Sequence, residues 1–561
     1  MRFTGFHIKN YKAIEDLLIV LNNTLIPLIG INESGKTSIL QAILAFDKTK
    51  DNYLDGSHLN PKNRYKRTQE PCKLVASVLI EDENEFDSIG REIKLQMDDE
   101  LYEWLHNCVK EKRHLRIERE YLETGFTNNY KLVDIPETIG AKRDALVKAI
   151  VKRLPYILYF DDFNDRVPTE IVFSLDESNN VKLGTGKNRE WQEIIVEVFA
   201  RALQEEFSLD SFLRLSDKDD QKNYLNDVNQ VLNREIIEEW KNLKNAYSNL
   251  SDDVTDLTLE LNYFKNENGN PVFQFKVVDE ENSGYKRMFN VANRSKGFQW
   301  YFNFIMKLKF NPKYRGVPEN VLYLLDEPGS YLHSSAQTEL LKKLRDLSQD
   351  NTILYCTHSQ YLLDPDVINI NNIKIVAKDD GVVTLTDFQQ SSVQRNLGAF
   401  SALYDALHLK FGFPMTTLKH CLLTEGITDY YFFKVFLDLP HIDIVPGAGC
   451  THLRELISIL IAYSENFLVI LDNDMEGRKA YADYAAIFGE SFTKRVYQYG
   501  GMKGSDFELE DILSKQYKND LHRITGCSDT KNALTSLFYS EEQIKERALH
   551  MLDEETNSRL K

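Results

Sequence analysis

Leu25-Ile26-Pro27-Leu28-Ile29-Gly30-Ile31-Asn32-Glu33-Ser34-Gly35-Lys36-Thr37 decides the fold class. Its apolar opening predicts a buried strand over 25–30, and Ser38 to Phe46 predicts a helix. Between them, Gly30 to Thr37 satisfies the pattern Gly-x-x-x-x-Gly-Lys-Thr. The glycines let the backbone curl so that its amides face phosphates. Lys36 supplies charge to the β and γ phosphates, and Thr37 offers a hydroxyl to Mg²⁺. Gly30, Asn32, Glu33, Ser34, Gly35, Lys36, Thr37 and Ser38 are the candidate nucleotide-binding residues. Strand, phosphate loop and helix in this order predict an α/β fold.

Working outward, Phe3 to Asn10 reads as an edge strand, and Leu74–Ile80 and Leu115–Tyr121 as further strands. Trp191–Phe207 and Gln221–Leu250 read as long charged helices, the second as an arm projecting from the body. Leu257–Tyr263 and Val272–Val278 flank a turn cluster and predict a hairpin. Parallel-strand patterns return at Val321–Leu325 and Thr352–Cys356. Asp326 and Glu327 follow the first of these, placed to hold Mg²⁺ and to polarise an attacking water.

A second chemistry lies in the last third. Glu425 and Asp429 follow the apolar Leu422-Leu423, and Asp472 and Asp474 follow Leu468–Leu471. Open α/β sheets place their sites at this strand edge. Like charges gathered there need a cation, which points to Mg²⁺ or Mn²⁺ and to phosphate chemistry. Gly447-Ala448-Gly449 forms a glycine loop between the two clusters. Lys503 to Leu513 contains four further acids, and the remainder to Lys561 is helical and charged.

The 561 residues predict two to four domains, with 42% apolar and 27% charged content typical of a globular chain. Six cysteines without CxxC or CxH spacing fit a reducing cytoplasm and predict neither zinc nor disulfides. The N-terminus lacks the order of a signal peptide, and no apolar run is long enough to span a bilayer, so no membrane association is expected. A net charge of −18 argues against coating nucleic acid, though not against a local basic groove. Lys62–Arg67 and Lys110–Arg119 are the basic stretches; a solvated surface face is the plainer reading of each.

Asp326-Glu327-Pro328-Gly329-Ser330-Tyr331-Leu332-His333, Tyr355-Cys356-Thr357-His358-Ser359 and the opening Ile8-Lys9-Asn10-Tyr11-Lys12 resemble ABC-type ATPase heads of the SMC and RecF kind. The resemblance implies that His358 contacts the γ-phosphate. Asn293-Arg294-Ser295-Lys296-Gly297-Phe298-Gln299-Trp300 resembles the signature loop that closes on a partner's nucleotide, with Ser295 and Gly297 in place. It departs from the common Leu-Ser-Gly-Gly-Gln form. Gln69 is a guess for the glutamine-bearing loop.

Glu425-Gly426-Ile427-Thr428-Asp429 followed by Asp472-Asn473-Asp474 resembles the TOPRIM domain of topoisomerases, primases and nucleases. That implies a two-metal site of Glu425, Asp429, Asp472, Asp474 and a later acid, Glu510 by choice and Glu508 as the alternative. Lys531 would steady the pentacovalent phosphate.

An ABC-type head followed by a TOPRIM domain resembles the overcoming-lysogenization-defect (OLD) nucleases, with the Gabija nuclease subunit and retron-associated effectors as relatives. The expected layout is an ATPase head lobe over 1–190, a helical dimerisation insertion over 191–255, a second head lobe over 256–400 and the TOPRIM domain over 415–561. The resemblance implies ATP-regulated, metal-dependent DNA cleavage, homo-oligomers formed through the heads, and antiphage defence. A helicase, a reverse transcriptase or retron nucleic acid would be a partner. A non-nucleolytic DNA-binding ATPase and an RNA-cleaving toxin are the competing readings.

Overall fold

The computed structural model describes residues 1–50, 70–81, 83–96, 99–122, 125–126, 130–136, 142–161, 166–176, 180–184, 186–202, 208–245, 256–280, 286–310, 320–364, 367–369, 372–387, 420–437, 439, 442–447, 453–454, 457, 466–500 and 506–560. Lys62–Arg67, Gln69, Ala448-Gly449, Lys503-Gly504-Ser505 and the boundary expected between Ser391 and Met415 lie outside these residues. The chain forms two compact units: Met1–Leu362 with Ile370–Ala402, and Leu363–Asn369 with Leu403–Lys561. Among the described residues, no helix is long and apolar enough to cross a membrane.

In the first unit, β1 (Arg2–Tyr11), β2 (Ile14–Val20), β4 (Cys72–Leu79), β5 (Leu115–Leu122) and β6 (Gly125–Phe126) form an antiparallel sheet in the order β2-β1-β4-β5-β6, with β7 (Lys131–Leu132) on β5. β1 therefore lies between β2 and β4, and the expectation of an edge strand is corrected. Its alternating pattern reports a half-buried face, which interior and edge strands share. That buried face covers α1 (Lys36–Leu44), whose Ile39, Leu40 and Ile43 join one core with Phe6, Ile8 and Leu74.

A second sheet runs β18-β17-β3-β16-β15-β8, formed by β3 (Leu25–Ile29), β8 (Ile157–Asp161), β15 (Leu322–Asp326), β16 (Thr352–Cys356), β17 (Lys374–Asp379) and β18 (Val382–Asp387). All its pairings are parallel except that of β17 with β18. Every residue of β3 is buried, as a central parallel strand requires. Pro27 is tolerated because β17 pairs only with Leu28 and Ile29, beyond the missing donor.

A third, antiparallel sheet holds β12 (Asp256–Lys265), β13 (Pro271–Glu280) and β14 (Lys286–Asn290), with β9 (Ile171–Val172) beside β13; β10 (Ser174–Leu175) and β11 (Val181–Lys182) pair separately. The expected hairpin is β12–β13. Helix α2 (Gly186–Ala202) overlaps the expected Trp191–Phe207 and α3 (Lys218–Leu232) the first part of the expected Gln221–Leu250, while 203–207 and 246–250 lie outside the described residues. The expected projecting arm is corrected: α3 and the π-helical turn Asn233–Ile237 lie along β12. Val228, Leu232 and Ile236 are buried, while the Asn229 and Asn233 amides bond the Leu261 and Leu259 backbone at 2.7–2.8 Å. The helix thereby caps the free edge of β12.

The second unit is built on four parallel strands in the order β20-β19-β21-β22: β19 (Cys421–Thr424), β20 (Asp443–Pro446), β21 (Phe467–Leu471) and β22 (Val496–Gln498). One face packs Leu422 and Ile444 against helices from later in the chain. The other packs Leu423, Val469 and Leu471 against Ala480 and Tyr484. Apolar strands covered on both faces leave only the strand ends open for polar groups.

Candidate functional site

In the first unit, the loop from Gly30 to Gly35 joins β3 to α1. Gly35 takes φ 107°, and no side chain caps the helix, so the first-turn amides stay open to an anion. Lys36 is only 6% exposed. Its Nζ donates to the carbonyls of Gly30 at 3.0 Å and Ile31 at 3.1 Å, and lies 2.7 Å from His358 Nε2. The Ser34 hydroxyl is buried without a hydrogen-bond partner, the mark of a group built for a ligand. Asn32 and Glu33 are exposed on the loop, and Ser38 is half-buried in the first turn.

β16 separates β3 from β15, so Thr37, Asp326 and His358 emerge from neighbouring strand ends. Thr37 Oγ1 donates to Asp326 Oδ1 at 3.1 Å, the pairing expected of two groups that share one cation. Burial pushes Asp326 up to about 6, against the opposing pull of the Thr37 hydroxyl. Glu327 is pushed up to about 7 by burial, against the pull of Lys36. It adopts φ 48°, a strained conformation for this residue type, and its Oε2 accepts from the His358 amide at 3.2 Å. Burial, then Lys36, holds His358 below its ordinary value and favours neutral imidazole. Ser295 caps α4 (Lys296–Lys309), accepting from the Phe298 amide at 3.4 Å.

In the second unit, Glu425 leaves β19 just before α6 (Ile427–Phe436), and Asp472 leaves the adjacent β21 before α7 (Met475–Phe488). Glu425 Oε2 accepts from the Asp472 amide at 2.9 Å, and Asp472 Oδ1 accepts from the Leu509 amide at 3.1 Å. An antiparallel bridge between Asn473 and Phe507 fastens the later segment to the end of β21 and delivers Glu510. Burial, then Asp429 and Glu425, pushes Asp472 up to about 8, with Glu510 adding to the rise. Burial also raises Glu510 and pushes Asp429 up to about 6. Both Glu510 carboxylate oxygens are buried without a hydrogen-bond partner.

The donors are all oxygens, and the buried Glu510 carboxylate, paired among the described residues only with the Lys531 ammonium at 3.4 Å, fits a hard divalent cation. Among the described residues, no three His, Cys, Asp or Glu side chains close on a single point.

The profile of the AAA ATPase domain family matches residues 1–363, more than half of the chain. The chain belongs to that family. An AAA ATPase domain uses nucleotide, with Mg²⁺. An uncharacterized protein of Methanocaldococcus jannaschii is 31% identical over 97 residues, 17% of this chain and 25% of that protein, so the chain spans a quarter of that curated relative's length. Three solved structures are also similar. They are an Smc head bound to the C-winged helix domain of ScpA (TM-score 0.35, 14% identity, covering 70% of this chain and 100% of that one), the SMC head domain from Thermotoga maritima (0.31, 14%, 69% and 99%), and an Smc head with an extended coiled coil bound to the C-terminal domain of ScpA derived from Pyrococcus furiosus (0.35, 13%, 72% and 99%).

Within the AAA ATPase domain, the structure brings Lys36, Thr37, Asp326, Glu327 and His358 together. In the second unit it gathers Glu425, Asp429, Asp472 and Glu510. Asp474 is spent differently: its Oδ1 caps α7 by accepting from the Gly477 amide at 2.7 Å. Asp429 is also committed, accepting from the Tyr499 hydroxyl at 2.7 Å and the Gly426 amide at 3.0 Å. Lys531, on α8 (Thr530–Tyr539), lies 3.3 Å from Glu508 and 3.4 Å from Glu510. Burial would lower its pKa, but the two carboxylates outweigh that and raise it. Sequence reading missed Tyr499 and the Leu509 amide; Tyr499's place at the end of a fourth strand was the available signal.

In the Lys110–Arg119 stretch, Lys110 and Lys112 are exposed while the arginines are engaged. Arg119 is buried, donating to the Ala45 carbonyl at 2.6 Å, and Arg116 and Arg113 pair with Asp134 and Glu111.

Proposed function

We propose that this protein is an ATP-regulated, divalent-metal-dependent endonuclease acting on DNA. The observation that carries the proposal is the gathering of Glu425, Asp472 and Glu510 at one parallel-sheet edge, with Asp472 pushed up to about 8 by burial and then by its carboxylate neighbours. Such mutual repulsion is unfavourable in a resting fold and is relieved when cations bind.

In this reading Glu425, Asp472 and Glu510 hold Mg²⁺ or Mn²⁺, with Asp474 as a further ligand. Cations bound there supply an activated water and neutralise charge on the phosphodiester. The Leu509 amide orients Asp472. Tyr499 and the Gly426 amide fix Asp429 as a brace behind the ligands. Lys531 offers positive charge to the phosphate. In the ATPase domain, Lys36 binds the phosphates, Thr37 and Asp326 hold the nucleotide's Mg²⁺, Glu327 orients the attacking water, and His358 sits beside the γ-phosphate. Ser295 of a second copy would complete that site in a head-to-head dimer.

Supercoiled plasmid incubated with Mg²⁺ or Mn²⁺, with and without ATP, tests the proposal. Nicked and linear products from the native protein, absent with Asp472→Ala, are expected. Equal cleavage by both proteins sinks it. An ATPase lacking a working nuclease centre is the competing reading, favoured by the structural bonds of Asp429 and Asp474. It requires intact plasmid under every condition. Labelled RNA run beside DNA separates the two substrates.

A further inference from the structure

One buried amide stands between the two loops that carry Glu327 and His358. Gln337 lies near the start of α5 (Ser334–Leu347) and is 7% exposed. Its Nε2 donates to the carbonyls of Gly329 at 2.9 Å and Leu332 at 3.2 Å, holding the turn that follows Glu327. Its Oε1 accepts from the hydroxyl of Ser359, the residue after His358. Ser359 is itself fixed, its amide donating to Thr357 Oγ1 at 2.9 Å and its hydroxyl accepting from the Tyr361 amide at 3.2 Å.

Helix packing alone does not call for this residue. Leu340, Leu341 and Leu344 bury the same helix, and an apolar side chain at 337 would avoid desolvating an amide. The hydrogen bonds instead join two loops whose tips already meet, where the His358 amide donates to Glu327 Oε2 at 3.2 Å. The turn also abuts the Ser295 loop. A Cβ on Gly297 would lie 2.9 Å from the Tyr331 carbonyl, and the Lys296 ammonium sits 5.0 Å from the Tyr331 ring centroid.

We infer that Gln337 is a positioning residue for ATP hydrolysis. It sets Glu327 against the His358 loop by tying both loops to α5, and it acts through them, not on the nucleotide. The inference rests on Glu327 being the residue that orients the attacking water.

Gln337→Met keeps the volume and removes all three bonds. Its kcat for ATP should fall roughly 10- to 100-fold, the cost of misplacing a reacting group. KM and the affinity for a fluorescent ATP analogue should stay within about threefold, since binding groups are untouched. A purely structural residue would lower the melting temperature and leave kcat of the folded protein unchanged. Ser359→Ala should give a smaller kcat loss, rescued by Ser359→Thr, and the double variant should be no worse than Gln337→Met. A native kcat in Gln337→Met, or additive losses in the double variant, overturns the inference. Should Gln337→Met fail to fold, the Ser359→Ala and Ser359→Thr pair decides, with no loss in the former overturning it. Glu327→Gln separates the parent reading: hydrolysis undiminished there sinks the role of Glu327, whereas an inactive Glu327→Gln beside a fully active Gln337→Met sinks only the role of Gln337.

Discussion

The backbone amide of Asp472 donates to Glu425 Oε2 at 2.9 Å, so the end of β21 is held by a side chain from the end of β19. The bond sets two carboxylates side by side in a partly buried strand edge. A third, Glu510, arrives through the Asn473–Phe507 bridge. Concentrated negative charge of this kind is costly in a fold and is the feature on which the proposed cation site rests.

Asp472→Ala removes the central carboxylate of the proposed site and one end of the bond to Leu509. Plasmid cleavage should fall to background while ATP hydrolysis stays at the native rate. Loss of both activities would indicate unfolding, which circular dichroism detects, and retained cleavage would refute the site.

Tyr499→Phe deletes the hydroxyl that donates to buried Asp429 at 2.7 Å. An unsatisfied buried carboxylate oxygen should cost about 1–3 kcal/mol in urea denaturation. As an outer support of the ligand set, its loss should weaken Mn²⁺ binding roughly 10- to 100-fold by calorimetry. Unchanged stability and affinity would mean the bond supports neither.

Stability should depend on pH in a direction the carboxylates set. Burial, with Asp429 and Glu425, pushes folded Asp472 up to about 8, against about 3.9 in an unfolded chain. Below both values the proton is kept in either state. Between them the folded chain still holds it while the unfolded chain has released it, so stability is lost as pH rises from about 4 toward about 8. Melting curves in metal-free buffer should show this slope in the native protein and a flatter one in Asp472→Asn. A steeper slope in the variant would contradict the assignment.

Lys36→Ala removes the ammonium at the phosphate loop. Affinity for a fluorescent ATP analogue should drop roughly 10- to 100-fold, as expected for charge-assisted bonds. Unchanged affinity would count against this loop as the nucleotide site.

Gly477→Ala tests a close approach. A Cβ there would lie 1.9 Å from the Asp472 carbonyl oxygen, so α7 or the end of β21 must move. A loss of about 1–3 kcal/mol and weakened cation binding are expected. Native behaviour in both measurements would show that the strand end is not held as described.

The local motifs were legible because each is continuous in the chain. Gly30 to Thr37 carries its strand, turn and helix start in consecutive residues, and Asp326 and Asp472 each close an apolar run. Helix α3 shows where such reading stops. It read as a projecting arm, yet Val228, Leu232 and, in the π-helical turn that follows, Ile236 recur every four residues as a buried stripe, and Asn229 and Asn233 find partners on β12, more than 25 residues on. β1 was misplaced for a related reason, because an edge is a property of neighbours and not of the strand.

The amino-acid sequence by itself determined the α/β class, the phosphate loop and the acidic strand ends, since backbone geometry and apolar periodicity act over a few residues. Only the tertiary structure set the acids apart by burial and partners. Glu508 and Glu510 are two residues apart and chemically alike. Yet the Glu510 side chain is 11% exposed beside Asp472, while that of Glu508 is 44% exposed, though Lys531 pairs with both. Asp474 and Asp429 likewise share the acidic pattern, and only the structure shows their bonds to Gly477, Tyr499 and Gly426. Burial and partners, which set a carboxylate's charge and freedom, come from strands and loops far apart in sequence.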